Sequence, residues 1–386
     1  MAKGSTRQLN FHDFTDPTTG MRVTRLTPPE IISHRNYFYQ KCFSNDGTQL
    51  MLGSEFDGTM NHWLVDLRTG LARQLTEGKG CNTHGAFLSP DDRHLYYVHS
   101  GNQLRRVDLQ SLEEQVVYAV PELWKGVGTW VPNTACTKFA AMEMWEEDRV
   151  TDSTGWERFT KQFHRTPRSR LISIDGATGT ARTVFEQKVY MGHPMYRPFD
   201  DNTMGFCHEG PHDLVDARMW LINEDGSNLR KVKEHAPGEA CMHEFWVPDG
   251  SRMIYVSYVK GEQNRFVWAA DPVTLKNEML MPMPPCSHIM SNYDGTLLVG
   301  DGAGQLEDVS DQEGHAFEPD PFLHVFDLQN RTTQRICAHN SSWKEYKGSH
   351  QTSHPHPSFT PDDKRVLFTS DFEGMPAVYL ADVPKI

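Results

Sequence analysis

Long apolar runs are missing from this sequence. Stretches such as Met253–Tyr258 and Val366–Thr369 are typical, far short of the ~20 residues a helix needs to cross a bilayer. The first residues, Met1-Ala2-Lys3-Gly4-Ser5-Thr6-Arg7, are polar and no apolar stretch follows them. A secretory signal is therefore not expected, and the cytoplasm is the expected compartment. The seven cysteines (Cys42, Cys81, Cys136, Cys207, Cys241, Cys286, Cys337) are scattered and form no CxxC pair. Reduced thiols are expected, not a disulfide framework. Cationic charge is also short: 38 Lys and Arg face 51 Asp and Glu, a formal net charge of −13. That excludes nucleic acid as an expected partner, because phosphates need a basic surface. An acidic ligand would need a locally positive site supplied by a metal, an arginine or helix ends. No glycine-rich phosphate loop follows an expected strand, and no GxSxG elbow is present, so nothing points to a serine nucleophile.

What the sequence does have is a repeat. A short stretch with an aromatic residue or Met leads into a tight turn, and an apolar strand follows. The copies are Phe43-Ser44-Asn45-Asp46-Gly47, Phe87-Leu88-Ser89-Pro90-Asp91-Asp92 and Trp130-Val131-Pro132-Asn133. They continue as Tyr196-Arg197-Pro198-Phe199-Asp200-Asp201 and Phe245-Trp246-Val247-Pro248-Asp249-Gly250, then Met290-Ser291-Asn292-Tyr293-Asp294-Gly295 and Phe359-Thr360-Pro361-Asp362-Asp363. Asp-Gly between apolar segments marks a hairpin, because glycine and, less often, Asp or Asn tolerate positive φ. Turn positions 46, 91, 133, 200, 249, 294 and 362 recur at about 45 residues, with two longer gaps, the period of a four-stranded propeller blade. Third strands are visible at Trp63–Leu67, Arg106–Leu109, Leu171–Asp175, Met219–Ile222 and Leu323–Asp327. The expected fold is all-β, a seven-bladed β-propeller in a single domain, 1–386. The segment Met21–Thr27 resembles a fourth strand and should complete the last blade after Ala377–Leu380. The long gaps hold two insertions, Glu143–Arg170, expected to be partly helical, and Asp301–Pro321, expected to be a loop. Each is either surface elaboration or a lid over one face.

Five of the 19 histidines are placed in register. His84 and His193 lie seven residues before their turn aspartates, and His243, His288 and His356 lie six before theirs. Five blades thus place an imidazole near the start of the innermost strand, where it should face the channel. His354 and His356 are i and i+2, which on a strand face the same way. The prolines of His354-Pro355-His356-Pro357 suit an edge strand, where no ladder donor is needed. Converging neutral imidazoles suit a divalent cation such as Zn, Mn, Fe or Ni, and Gln351 could add an oxygen. The alternative is a set of polar residues that bind water or fix turns.

Two further stretches stand out. In Cys207-His208-Glu209-Gly210-Pro211-His212-Asp213 the two histidines have the spacing of a helical zinc site, but Gly210 and Pro211 between them disfavour a helix. Downstream, Arg218 begins a strand, where it either serves a ligand or forms a surface ion pair with Asp216 or Glu209. The run His34-Arg35-Asn36-Tyr37-Phe38-Tyr39-Gln40-Lys41 is polar and aromatic, a composition that suits either a sugar or an ordinary packed turn.

These strings resemble the oligogalacturonate lyases, a propeller family acting at the end of intracellular pectin breakdown. The resemblance runs through His34–Gln40, Cys207–Asp225, His243–Gly250, Ser287-His288, Ser291–Gly295 and Gln351–Asp363, and it covers nearly the whole chain. It implies that His288, Gln351, His354 and His356 hold Mn²⁺, with other divalent metals possible. It implies that His243 is the proton-abstracting base, with Arg218 beside it at the substrate carboxylate. Arg35, His84, His193 and His208 are candidates to contact the sugar. The implied reaction is β-elimination, cleaving saturated or unsaturated digalacturonate and short oligogalacturonates to monomers, including 5-keto-4-deoxyuronate. A metal-dependent hydrolase or lactonase on the same histidines, and a propeller that binds protein partners, are the competing readings.

Overall fold

The hairpin turns show how the repeat folds. In the computed structural model Ser44 N–H donates to the Gln49 carbonyl at 3.0 Å, Ser89 to His94 at 2.8 Å and Asn133 to Lys138 at 2.9 Å. Val247 to Arg252 (3.0 Å), Asn292 to Leu297 (3.0 Å) and Thr360 to Arg365 (2.8 Å) repeat the same five-residue closure. Short polar side chains brace these turns from inside: the hydroxyls of Ser44, Ser89 and Thr360 donate to Asp46, Asp91 and Asp362 at 2.6, 2.6 and 2.8 Å. A second turn recurs between third and fourth strands. There Asp66, Asp108, Asp175, Asp271 and Asp327 each accept the backbone N–H groups two and three residues on.

Between these turns the strands form seven antiparallel sheets, so the chain is the seven-bladed β-propeller that the repeats predict. The structure describes residues 2–211, 214–259, 262, 264–286, 288–302, 320–347 and 349–385, with the backbone alone at position 350. Contacts group the chain into two compact units. One holds Met1–Tyr97, Arg106–Glu114 and Met283–Ile386, and the other Val98–Arg105 and Gln115–Pro282.

In the first unit, the seventh sheet is built from both ends of the sequence. Ser358–Phe359, Arg365–Ser370 and Ala377–Asp382 are followed by Arg22–Arg25, whose Thr24 pairs with Leu380. The N-terminal strand therefore completes the last blade, as its pattern predicts. His12–Thr15 adds a fifth strand there, and Thr6–Gln8 a fifth strand to the first blade. Neither short polar strand carries an apolar signal in the sequence. The cores are apolar side chains between sheets, with Trp63, Leu50, Leu52 and Tyr97 in one cluster and Val325, Phe368 and Tyr379 in another.

In the second unit, the insertion is shorter than its composition suggests. Glu143 and Arg170 are themselves cross-strand partners, joined by an ion pair at 2.5 Å. Only the stretch between Trp145 and Arg168 leaves the sheet. It carries a 3₁₀ turn, Glu146–Asp148, and a helix, Gly155–His164. Gln162 pins the helix, donating to the Asp148 carbonyl and accepting from Val150 N–H, both at 2.9 Å. Phe159 packs 5.7 Å from Tyr190, and Phe163 lies against Gly210, where a Cβ would collide with its ring. The expected loop Asp301–Pro321 lies outside the described residues except at its ends. Among the described residues no helix is long and apolar enough to cross a membrane.

Candidate functional site

Chemistry-bearing side chains gather at two places, one in each unit. In the first unit His288, His354 and His356 converge, offering ring nitrogens that all lie within 4.8 Å of one another. Their ring centroids are 4.2 Å (His288–His356), 5.4 Å (His288–His354) and 5.6 Å (His354–His356) apart. The convergence does not arise from strand pleat, as i, i+2 spacing had suggested. His354 and His356 precede the short strand Ser358–Phe359, and His356 has a left-handed backbone, φ 46°. That strained conformation re-aims the side chain. The segment is tied to its neighbour only irregularly, through Thr369 N–H to the Pro355 carbonyl at 3.0 Å.

His288 is held by a buried carboxylate. Asp301 accepts from its backbone N–H at 2.8 Å and pairs with Nδ1 at 2.7 Å. With the proton on Nδ1, Nε2 presents its lone pair, the usual tautomer of a metal-bound histidine. Behind Asp301, His339 Nε2 donates to the Asp301 carbonyl at 2.8 Å, while Ser341 N–H donates to His339 Nδ1 at 3.0 Å. Trp343, also with positive φ, packs on His354 at 4.3 Å and stacks on His288 at 6.2 Å. Tyr37 lies 5.1 Å and Phe38 6.2 Å from His356.

The donors fit a divalent metal. His356 Nε2 and Gln351 Oε1 are buried without a hydrogen-bond partner, a costly state unless a cation supplies the missing interaction. Burial first, then the neighbouring His288, His354, His84 and Arg35, holds His356 well below the usual histidine range. A neutral imidazole is the form a metal needs. Imidazole nitrogens with an amide oxygen suit manganese as well as zinc or iron.

His84 stands at the edge of this group. Its ring stacks on His34 at 4.0 Å and lies 6.4 Å from His356, and its Nδ1 is buried without a partner. Arg35 is placed differently from a sugar contact. It is 1% exposed, and its donors go to the Asn36 carbonyl (2.8 Å), Asn36 Oδ1 (3.1 Å) and Ser358 Oγ. No carboxylate is among its partners in the described residues, so it is a buried cation in the framework of the site.

In the second unit Arg218 is the centre. It is not a surface ion pair: it is 6% exposed, with Nε and Nη2 on Glu244 at 2.8 and 3.3 Å and Nη1 on Glu209 at 3.0 Å. Asp216 instead meets Lys231, at 3.8 Å. His193 sits between the same two carboxylates, 3.4 Å from each. Gly192 makes room: a Cβ there would lie 2.5 Å from Glu209 Oε1. Burial pushes Glu209 up, but Arg218 and His193 outweigh it and hold the carboxyl at about 2. Glu244 is lowered against its burial by the same two partners.

His193 and His243 share a backbone device. Each lies within a strand, not at its start, at a register shift (Gly192 to Met195, Met242 to Phe245) and with positive φ, 47° and 55°. A bulge turns one side chain out of the alternating pattern. His208 ends the strand Asp200–His208, so the helical zinc spacing does not apply, and His212 lies outside the described residues. The His208 ring packs 4.8 Å from Trp220, and burial lowers its pKa to about 4. Asp301, Trp343 and Glu244 are the neighbours that sequence reasoning missed, while Glu209 is the partner it offered for Arg218, which is buried here and not at the surface. For Glu244 a signal existed, since it directly follows a histidine already singled out.

A family profile described as oligogalacturonate lyase matches residues 1–386. The oligogalacturonate lyase of Dickeya dadantii is 58% identical over 384 residues, spanning 100% of this chain and 99% of that one. The oligogalacturonide lyase of Pectobacterium atrosepticum is 58% identical over the same shares. A solved structure of an oligogalacturonate lyase in complex with manganese superposes with a TM-score of 0.95 at 55% identity, covering 100% of this chain and 99% of that one.

Proposed function

The chain belongs to the oligogalacturonate lyase family, and from that premise we propose that it cleaves digalacturonate and short oligogalacturonates by metal-dependent β-elimination. The observation that carries the reading is the convergence of His288, His354 and His356, with the buried, partnerless oxygen of Gln351 close in sequence. These four residues hold manganese. When bound, the ion supplies Lewis-acid charge that makes the proton α to a carboxylate easier to remove.

His243 accepts the C5 proton. The C4–O bond breaks, a C4=C5 double bond forms, and the departing galacturonate oxygen takes up a proton. Arg218 presents its remaining N–H groups to the substrate carboxylate, where negative charge develops. His84, His193 and His208 contact the sugar. Arg35 does so only indirectly, by supporting Asn36 and Ser358. A cation held by imidazoles and an amide also explains how a protein of net charge −13 takes an acidic oligosaccharide.

The test is digalacturonate incubated with the protein, with and without chelator, and products read by mass. The expected result is metal-dependent release of galacturonate together with an unsaturated or 5-keto-4-deoxyuronate monomer. Incorporation of solvent oxygen at the cleaved bond, giving two galacturonates, would identify a hydrolase and end this reading.

A further inference from the structure

Three of the five N–H groups of Arg218 are already taken, two by Glu244 and one by Glu209. Such a guanidinium cannot swing to meet a ligand; its plane is set before the ligand arrives. Glu244 grips the Nε–Nη2 edge with both oxygens, the geometry that fixes orientation as well as position. It is 1% exposed, so no water competes for those bonds.

Glu244 also directly follows His243 in the strand Glu239–Trp246. Consecutive residues of a regular strand point to opposite faces. Here the register shift between Met242 and Phe245 and the φ of 55° at His243 interrupt that alternation. Glu244 runs inward to Arg218, while His243 stays half-buried. One backbone bend thus carries both the histidine and the carboxylate that orients the arginine.

We propose that Glu244 is a positioning residue of the lyase reaction: it fixes the Arg218 guanidinium relative to the bend that carries His243. This rests on the roles given to Arg218 and His243 under the proposed function. Glu209 shares the load at Nη1, and His193 lies between both carboxylates, 3.4 Å from each.

The variant Glu244→Gln keeps the shape but turns an amide NH₂ toward an N–H of Arg218, so one of the two bonds is lost. It should lower kcat on digalacturonate by about 10²-fold, the cost of a displaced catalytic group, with KM moved far less and manganese content unchanged. Because Glu244 acts through Arg218, the double variant Glu244→Gln/Arg218→Ala should be no slower than Arg218→Ala alone. A purely structural role would instead make the two losses multiply, and that outcome overturns the proposal. So does Glu244→Gln with wild-type kcat. If Glu244→Gln does not fold, Glu244→Asp, which keeps the charge and retracts the oxygens, is read by the same criteria. Wild-type protein that leaves digalacturonate intact overturns the proposed function together with this inference. Wild-type turnover with undiminished variants overturns this inference alone.

Discussion

Around His288, in the first unit, the polar side chains among the described residues are mostly imidazoles, with the carboxylate of Asp301 and the enclosed Arg35 beside them. Around Arg218, in the second, two carboxylates grip the guanidinium and His193 lies between them. In the first, His356 Nε2 is buried without a hydrogen-bond partner, and so is Gln351 Oε1 nearby in the sequence. In the second the arginine is already paired by carboxylates of the protein. A buried polar atom without a partner points to a missing ligand, whereas a guanidinium gripped by carboxylates points to orientation.

The comparison is most open to breaking through the two histidines that stand for it. His356→Ala should abolish manganese binding, read by metal analysis of purified protein, and turnover with it. His243→Ala should lower kcat by roughly 10²–10⁴ while metal content stays at the wild-type level. Metal loss in His243→Ala, or full activity in metal-free His356→Ala, would erase the division of labour. A smaller effect tests the support behind the metal ligands. Asp301→Asn should weaken manganese binding by about 10–100-fold, measured by titration calorimetry. Unchanged affinity would show that Asp301 only braces the loop.

The smallest difference lies in acid. In the first unit burial lowers His34 and His339 to about 4 and His62 to about 3, from 6.5. Between 6.5 and those values the unfolded chain binds more protons than the folded one, so stability is full above pH 6.5 and falls as the pH drops toward 4. In the second unit His208, at about 4, acts the same way. The carboxylates there act lower: Glu209, at about 2 against 4.5, contributes stability that is lost only as the pH falls from 4.5 toward 2. Hydrogen exchange of metal-free protein, stepped down in pH, should therefore open the first unit earlier. Earlier opening of the second would invert the contrast.

Fold and site were unequally legible in the sequence. The turns were readable because Asp-Gly and Asp-Asp pairs are local chemistry, and counting them yields seven blades without any tertiary knowledge. Thr6–Gln8 and His12–Thr15 were not, because polar outer-edge strands need no apolar alternation. The histidine register picked out imidazoles that the structure brings together, His288 and His356, but not how they are aimed. The bulges at His193 and His243 and the left-handed backbone at His356 are decided by neighbouring strands. Asp301 and Trp343 escaped notice because nothing in their own neighbourhood links them to His288. Arg35 was misjudged because an arginine in an aromatic run looks the same whether its head faces a ligand or, as here, Ser358.

The pairing of Arg22–Arg25 with Ala377–Asp382 bears on how the protein is made. Thr24 leaves the ribosome long before Leu380 exists, so an early strand keeps a bare hydrogen-bonding edge until about 350 later residues have been made. Bare edges invite pairing between chains, and nascent copies of this protein are exposed to one another throughout that interval.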